Sequence, residues 1–382
     1  MSPTPRTFTP PAAPSTYSWE ATDEEVAARY GMDPTTIVRF DLNTSPTPPA
    51  LVARLLEAGR FEAPLSEYPP TDYRRLVDAA ATRYGVARAE ILVGAGADEI
   101  LDIVAKVFIP AGGRAVVPTP TYAMYPVLTE QRGASVVAVP RLGPDAGFAL
   151  DQGATRAAAR DAASVVWLCS PNNPTALAEP DGTIAVLLGG LADDATTDRR
   201  PAPIVVLDEA YAEFVGSSLL GLRDAYPNLI VVRTASKAYA LAGLRVGFAV
   251  AHPAVIARMN PYRPPGSVST ISVTLVTEAL RDPTVLDANL ERVTHERVRL
   301  SEALRAVGWS VGPSVTNFLL VDFSSAERAG AVAEALLARG LVPRTFGASH
   351  PLADHLRLTV RDPDENDRLI AAATDHARET IE

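Results

Sequence analysis

From about residue 75 to residue 250, short apolar runs rich in β-branched residues alternate with stretches whose apolar residues recur at helical spacing. The runs are Arg114 to Val117, Ser135 to Val139, Ser164 to Cys169, Ile204 to Leu207, Leu229 to Val232 and Val246 to Val250. Their spacing leaves room for crossover helices, which predicts an α/β fold with a mostly parallel sheet covered on both faces. In such sheets ligands sit at the carboxyl ends of the strands. Ser170 to Pro174, Asp208 to Tyr211 and Thr234 to Lys237 fall there. After about residue 270 the rhythm changes to a long amphipathic helix around Leu286 to Val307, a strand Asn317 to Asp322, a helix near Ala329 to Arg339, a strand Leu356 to Val360 and a final helix. A smaller C-terminal α/β domain is expected from that change. Ahead of both, Asp23-Glu24-Glu25 open a short helix before the strand-like piece Ile37 to Leu42. The expected division is an N-terminal arm 1–36, a large domain 37–270 and a small domain 271–382, with the proline-rich first fourteen residues as a disordered lead-in.

Composition narrows the class. A chain of 382 residues with 47% hydrophobic and 21% charged positions is an ordinary globular protein of enzyme size. No apolar run reaches the roughly 18 to 20 residues that a membrane span needs. The net charge of -10 repels phosphate backbones, and no Lys/Arg block offsets it, so nucleic acid is a poor partner. The single cysteine, Cys169, lies in an apolar run and is expected to be an inert core thiol in a reducing compartment. Without an apolar signal segment at its start, the chain is expected in the cytoplasm. The five histidines lack i, i+4 pairing, so no metal site is indicated, and His350 and His355 are expected at the surface. No Ser-His-Asp grouping or paired-carboxylate motif is present.

One count redirects attention: the 35 basic residues include only two lysines, Lys106 and Lys237. Lys237 follows an apolar run in Thr234-Ala235-Ser236-Lys237, at the mouth of the predicted sheet, where burial lowers an amine's pKa and makes it a nucleophile. Asp208 emerges from Ile204 to Leu207 at the same edge, and a carboxylate so placed needs a cation or donor, a protonated pyridine nitrogen being one candidate. Gly94-Ala95-Gly96-Ala97-Asp98-Glu99 precedes a helix running to Phe108, and its backbone N–H groups could hold a phosphate. Glu99 stands where a dinucleotide loop needs its third glycine. Arg245 is a natural bidentate partner for the same phosphate.

Asn173-Pro174, Asp208-x-x-Tyr211, Ser236-Lys237 and Arg245, in this order, resemble the pyridoxal-phosphate aminotransferases of fold type I, and more narrowly the histidinol-phosphate aminotransferases, from about Tyr17 to the C-terminus. The resemblance implies a large domain with a seven-stranded, mostly parallel sheet and a homodimer. It implies that Lys237 holds pyridoxal 5'-phosphate as a Schiff base and moves the substrate's proton, that Asp208 pairs with the ring nitrogen, that Asn173 and Tyr211 bond the ring hydroxyl, and that Tyr122 stacks on the ring. The phosphate would be held by Ala97, Asp98, Ser236, Arg245 and Thr234, with Tyr68 reaching the neighbouring subunit's site. Arg357 and Arg344 would grip the substrate's anionic end, with Tyr17 and Asn43 lining the same pocket. The implied reaction transfers the amino group of L-histidinol phosphate to 2-oxoglutarate. An aromatic or other amino-acid aminotransferase and a threonine-phosphate decarboxylase are the alternatives. A cofactor-sensing regulator would need a DNA-binding region, for which the roughly 35 residues before the first core strand are too few. Two positions depart from the family: Asn-Glu-Asn-Pro reads Asn43-Thr44-Ser45-Pro46, which touches the substrate pocket, and Ala176 replaces a glycine, which is harmless if it avoids positive φ.

Overall fold

The computed structural model describes residues 15–161 and 163–379. The expected disorder of the first fourteen residues lies outside them. Twelve strands occur among the described residues: β1 Val38–Arg39, β2 Ile91–Gly94, β3 Arg114–Thr119, β4 Ser135–Pro140, β5 Val165–Cys169, β6 Ile204–Asp208, β7 Leu229–Thr234, β8 Gly247–Ala251, β9 Ser310–Val311, β10 Phe318–Asp322, β11 Leu341–Val342 and β12 His355–Thr359.

Seven of them form one sheet in the order β2-β8-β7-β6-β5-β3-β4. Five neighbouring strands run parallel, while β8 is antiparallel to both β2 and β7. The cause is local: only residues 235–246 separate β7 from β8, and no α-helix forms there to carry the chain back to the starting edge. Alternate residues of the strands feed two cores. Trp167, Cys169, Val206 and Val232 pack under the helices Gly96–Phe108 and Met124–Gln131. Val166, Leu168, Val205 and Leu207 pack under the helices Gln152–Arg160 and Thr183–Thr197. Burial on both faces is why these strands read as continuous apolar runs.

The second unit is built on the antiparallel sheet β12-β10-β9 and the two-stranded sheet β1-β11. Its limits differ from those expected. Val38 pairs with Leu341, and Val38 and Phe40 pack among Leu304, Leu319 and Leu358, so the piece after residue 37 joins the small core. At the other boundary, Val273, Val276, Leu280 and Leu286 pack with Leu76 and Phe248 of the large unit, so residues just past 270 still belong to it. The chain crosses between cores twice, and apolar pattern alone does not say which core an apolar segment joins. The arm's helix Asp23–Tyr30 begins as expected at its three acidic residues, capped by a reciprocal Thr22–Glu25 box.

Candidate active site

A cavity of about 660 Å³ opens at the carboxyl ends of β5, β6 and β7, between the two units. Strand register assembles one end of it. Gly94 is the partner of Gly247, and Gly247 is the partner of Thr234, so the start of the helix Gly96–Phe108 lies beside Thr234 and Ser236. The approach is close enough to require glycine. A Cβ on Gly247 would stand 2.4 Å from the Gly96 carbonyl carbon and 2.5 Å from Ala97 N, and Gly96 itself has φ +84 with Arg245 Nη2 2.5 Å from where its Cβ would be. The first-turn N–H groups have no acceptor within the helix. Arg245 reaches the same place, with Nη2 3.3 Å from Asp98 Oδ2, and Tyr122 Oη donates to Asp98 Oδ1 at 2.9 Å. Thr234 Oγ1 accepts from Ser236 N at 3.1 Å and lies 3.0 Å from Ser236 Oγ, so it shapes the turn that presents the serine.

The middle of the cavity holds the titrating pair. Asp208 is 4% exposed; Oδ2 accepts from Tyr125 Oη at 2.9 Å and Oδ1 from Ala210 N at 3.0 Å. No salt bridge reaches it among the described residues. Burial pushes its pKa up to about 6, against the pull of the two hydrogen bonds. Lys237 Nζ donates to Leu42 O at 3.3 Å and lies 5.7 Å from the centre of the Tyr211 ring. Burial, and then the like charge of Arg357, lower its pKa to about 8. Tyr211 Oη accepts from Asn43 Nδ2 at 3.0 Å, and Asn43 is fixed in turn by Thr359, whose Oγ1 accepts from Asn43 N at 2.9 Å. Asn43 has φ +53, a conformation asparagine tolerates better than most residues.

At the far end, Arg344 and Arg357 are partners across an antiparallel bridge, with reciprocal backbone bonds of 3.0 Å. Thirteen positions apart in sequence, they are adjacent in space. Arg357 is 6% exposed, donates to Asn173 Oδ1 at 2.6 Å and to the Asp41 carbonyl, and leaves its buried Nε without a partner. Arg344 is no solvated loop residue: Nη1 donates to Ser18 O at 2.7 Å and its guanidinium lies 5.2 Å over the Tyr17 ring. Tyr17 and Tyr122 line the same wall, their ring centres 6.4 Å apart.

Fourteen of the fifteen residues singled out from sequence line this cavity: Tyr17, Asn43, Ala97, Asp98, Tyr122, Asn173, Asp208, Tyr211, Thr234, Ser236, Lys237, Arg245, Arg344 and Arg357. Tyr68 does not, and is 91% exposed. Of the two departures in the Asn43 loop, Thr44 lines the cavity, whereas Ser45 Oγ accepts from Arg292 Nη2 at 2.9 Å, away from it. The condition set for Ala176 is not met, since its φ is +66. The turn demands this, with Ala176 N donating to Asn172 O at 2.9 Å and its carbonyl accepting from Val315 N at 2.9 Å. The strain of about 1 to 2 kcal/mol is partly offset by a methyl group packed against Ala210, Tyr211 and Phe318. Cys169 is buried, and burial pushes its pKa up to about 12, as expected of an inert thiol. The histidines depart from expectation: both His350 and His355 are half-buried, and His355 Nδ1 lies 2.5 Å from Asp354 Oδ1.

Sequence reasoning missed Tyr125, Trp19 and Glu20. Tyr125, three residues after Tyr122 and in the first turn of the helix Met124–Gln131, stacks on Trp167 at 5.4 Å with 3° between ring planes, and its nearness to Tyr122 in sequence was its available signal. Trp19 lines the cavity although 72% exposed. Nothing in the local sequence marks it or Glu20, because the arm's path over the cavity is a tertiary fact.

The donor set fits pyridoxal phosphate. One end offers helix N–H groups, a serine hydroxyl and Arg245 to a phosphate, the two glycines keep that cradle open, and the middle offers Asp208, a buried acceptor with no salt-bridge partner among the described residues, to a protonated ring nitrogen. Residues 37–372 match the family model for aminotransferase class I and II. The chain belongs to that family. It is 36% identical to a histidinol-phosphate aminotransferase of Roseiflexus castenholzii over 91% of both chains, and 34% identical to one of Symbiobacterium thermophilum over 91% of this chain and 92% of that one. Among solved structures it resembles the histidinol-phosphate aminotransferase of Sinorhizobium meliloti in complex with pyridoxal-5'-phosphate, with TM-score 0.83 and 25% identity over 96% of each chain. No helix among the described residues of this aminotransferase is long and apolar enough to cross a membrane.

Proposed function

We propose that this pyridoxal-phosphate-dependent aminotransferase takes the amino group of L-histidinol phosphate and passes it to 2-oxoglutarate, both half-reactions running in the one cavity. The observation that carries the substrate is the bridged pair Arg344 and Arg357 at the end of the cavity opposite the phosphate cradle. Two guanidinium groups suit a phosphate monoester of roughly -2 charge. Histidinol phosphate is also the substrate in the names of the relatives above.

When bound, the cofactor supplies an electron sink for the negative charge that develops at the substrate's Cα. Asp208 would hold the proton on the ring nitrogen, and Tyr125 and Ala210 N keep its carboxylate aimed. Asn173 and Tyr211 would hold the ring at its edge, and Tyr122 would hold it at its face. Lys237, whose amine burial pushes toward its neutral form, would take the Cα proton and return it elsewhere. Arg245, Ser236 and the helix start would anchor the phosphate, and Tyr68 would complete that cradle in a second copy of the chain, making the working unit a homodimer. Tyr17 and Trp19 cover the donor and exclude water.

The test is the efficiency ratio of histidinol phosphate to phenylalanine in the parent and in Arg344→Ala. Each charge-assisted bond is worth about 1.5 to 3 kcal/mol, so the variant should lose tenfold or more with histidinol phosphate and less with phenylalanine. A parent that prefers phenylalanine, or a ratio that does not fall, assigns the enzyme to amino-acid donors.

A further inference from the structure

Glu20 stands at the anion-binding corner without a part in the chemistry above. Its carboxylate accepts from Thr345 N at 2.8 Å and from Thr345 Oγ1 at 2.9 Å, and lies 3.5 Å from Arg344 Nη1. The Arg344 and Glu20 side chains are only 14% and 17% exposed, so water screens the pair incompletely. Glu20 lies beside the cavity, behind Arg344, and the acids that line the cavity itself are committed elsewhere: Asp41 to Arg39 at 2.7 Å, Asp98 to Arg245 and Tyr122, and Asp208 in the middle of the cavity. The corner therefore combines two guanidinium groups with one carboxylate. Arg344 spends its bonds on the arm, toward Ser18 O and Glu20, while Arg357 spends its own on Asn173 and Asp41.

We propose that Glu20 is a charge-balancing specificity residue, which weakens the hold of Arg344 and Arg357 on a dianion so that the same corner serves both a phosphate monoester and the single distal carboxylate of the acceptor acid. The inference rests on the reading that these arginines hold the substrate's anionic end. Both half-reactions use one site, so a corner of undiminished double positive charge would retain the phosphate-bearing reactant and product and exclude the acceptor. Electrostatic attraction scales with the product of the charges. Removing the Glu20 charge should therefore shift the logarithm of affinity about twice as far for a phosphate dianion seated in this corner as for a single carboxylate seated there.

Glu20→Gln isolates that term, because its amide oxygen still accepts from Thr345 N while the charge is gone. Steady-state kinetics on the holoenzyme should show KM for histidinol phosphate falling about tenfold and KM for 2-oxoglutarate about threefold, with inhibition by excess histidinol phosphate appearing at lower concentration. A purely structural Glu20 leaves both values unchanged or moves them by the same factor, and either result overturns the proposal. Arg344→Ala, measured alongside, separates the two layers. If it leaves KM for histidinol phosphate unchanged, the reading of the anion corner fails. If it raises that KM while Glu20→Gln does not lower it, only the charge-balancing role fails.

Discussion

Asp208 and Lys237 carry opposite consequences for the protein with its cofactor removed. Asp208 titrates near 6 against an ordinary 3.8, so between those values the folded chain holds a proton that the unfolded chain has released, and stability falls as pH rises across that window. Lys237 titrates near 8 against 10.5, so between those values the unfolded chain holds the extra proton and stability rises with pH. Asp208→Asn should accordingly melt at a higher temperature than the parent at pH 7 when both are stripped of cofactor, and yet turn over far more slowly when both are loaded. A loaded variant as fast as the parent would make Asp208 a structural residue. For Lys237, the rate at which stripped protein recaptures pyridoxal phosphate should rise with pH to a midpoint near 8, since only the neutral amine attacks. Arg357→Ala removes a like charge and should move that midpoint upward, which stopped-flow absorbance can follow. Borohydride reduction and peptide mapping should then find the label on Lys237, and a label on Lys106 would overturn the assignment.

At the scale of elements, the site depends on how closely β8 approaches the start of the helix Gly96–Phe108. Gly247→Ala places a methyl carbon against backbone atoms, with no flexible side chain to yield, so the helix start must move. The expected result is an enzyme that folds but binds pyridoxal phosphate at least tenfold more weakly, by equilibrium titration of the stripped protein. Unaltered affinity would mean that the phosphate is not held by that helix. The small unit makes a comparable contribution through the bridge that sets Arg344 beside Arg357, while Asn43 links the two units by bonding both Tyr211 and Thr359.

For the whole molecule, the prediction concerns association. Tyr68 is 91% exposed and outside its own chain's cavity, so in the proposed homodimer it is free to reach the phosphate cradle of a second copy. Tyr68→Phe keeps the ring and removes the hydroxyl, so the dimer should persist while cofactor dissociates several-fold faster. Gel filtration with gradual dilution, followed by cofactor absorbance, checks both halves. A monomer that keeps full activity would show that each site is complete within one chain.

Local sequence determined the parts of this protein that depend on local physics. β-branched apolar runs determined the parallel strands, because a strand buried on both faces must be apolar throughout. Residues placed straight after those runs, Asp208, Asn173 and Lys237, reach the strand ends by chain connectivity alone. Near-absence of other lysines made Lys237 conspicuous. What lay beyond sequence was each choice settled by packing between distant segments. The strand β2 joins as an edge through the reversed β8, Val38 and Phe40 enter the small core, Ala176 takes a left-handed turn, and the arm brings Trp19 over the cavity and Glu20 against Arg344. Each of these depends on a partner far away in sequence, such as Leu341 for Val38 or Thr345 for Glu20, and such a pairing leaves no periodic or compositional trace in either segment.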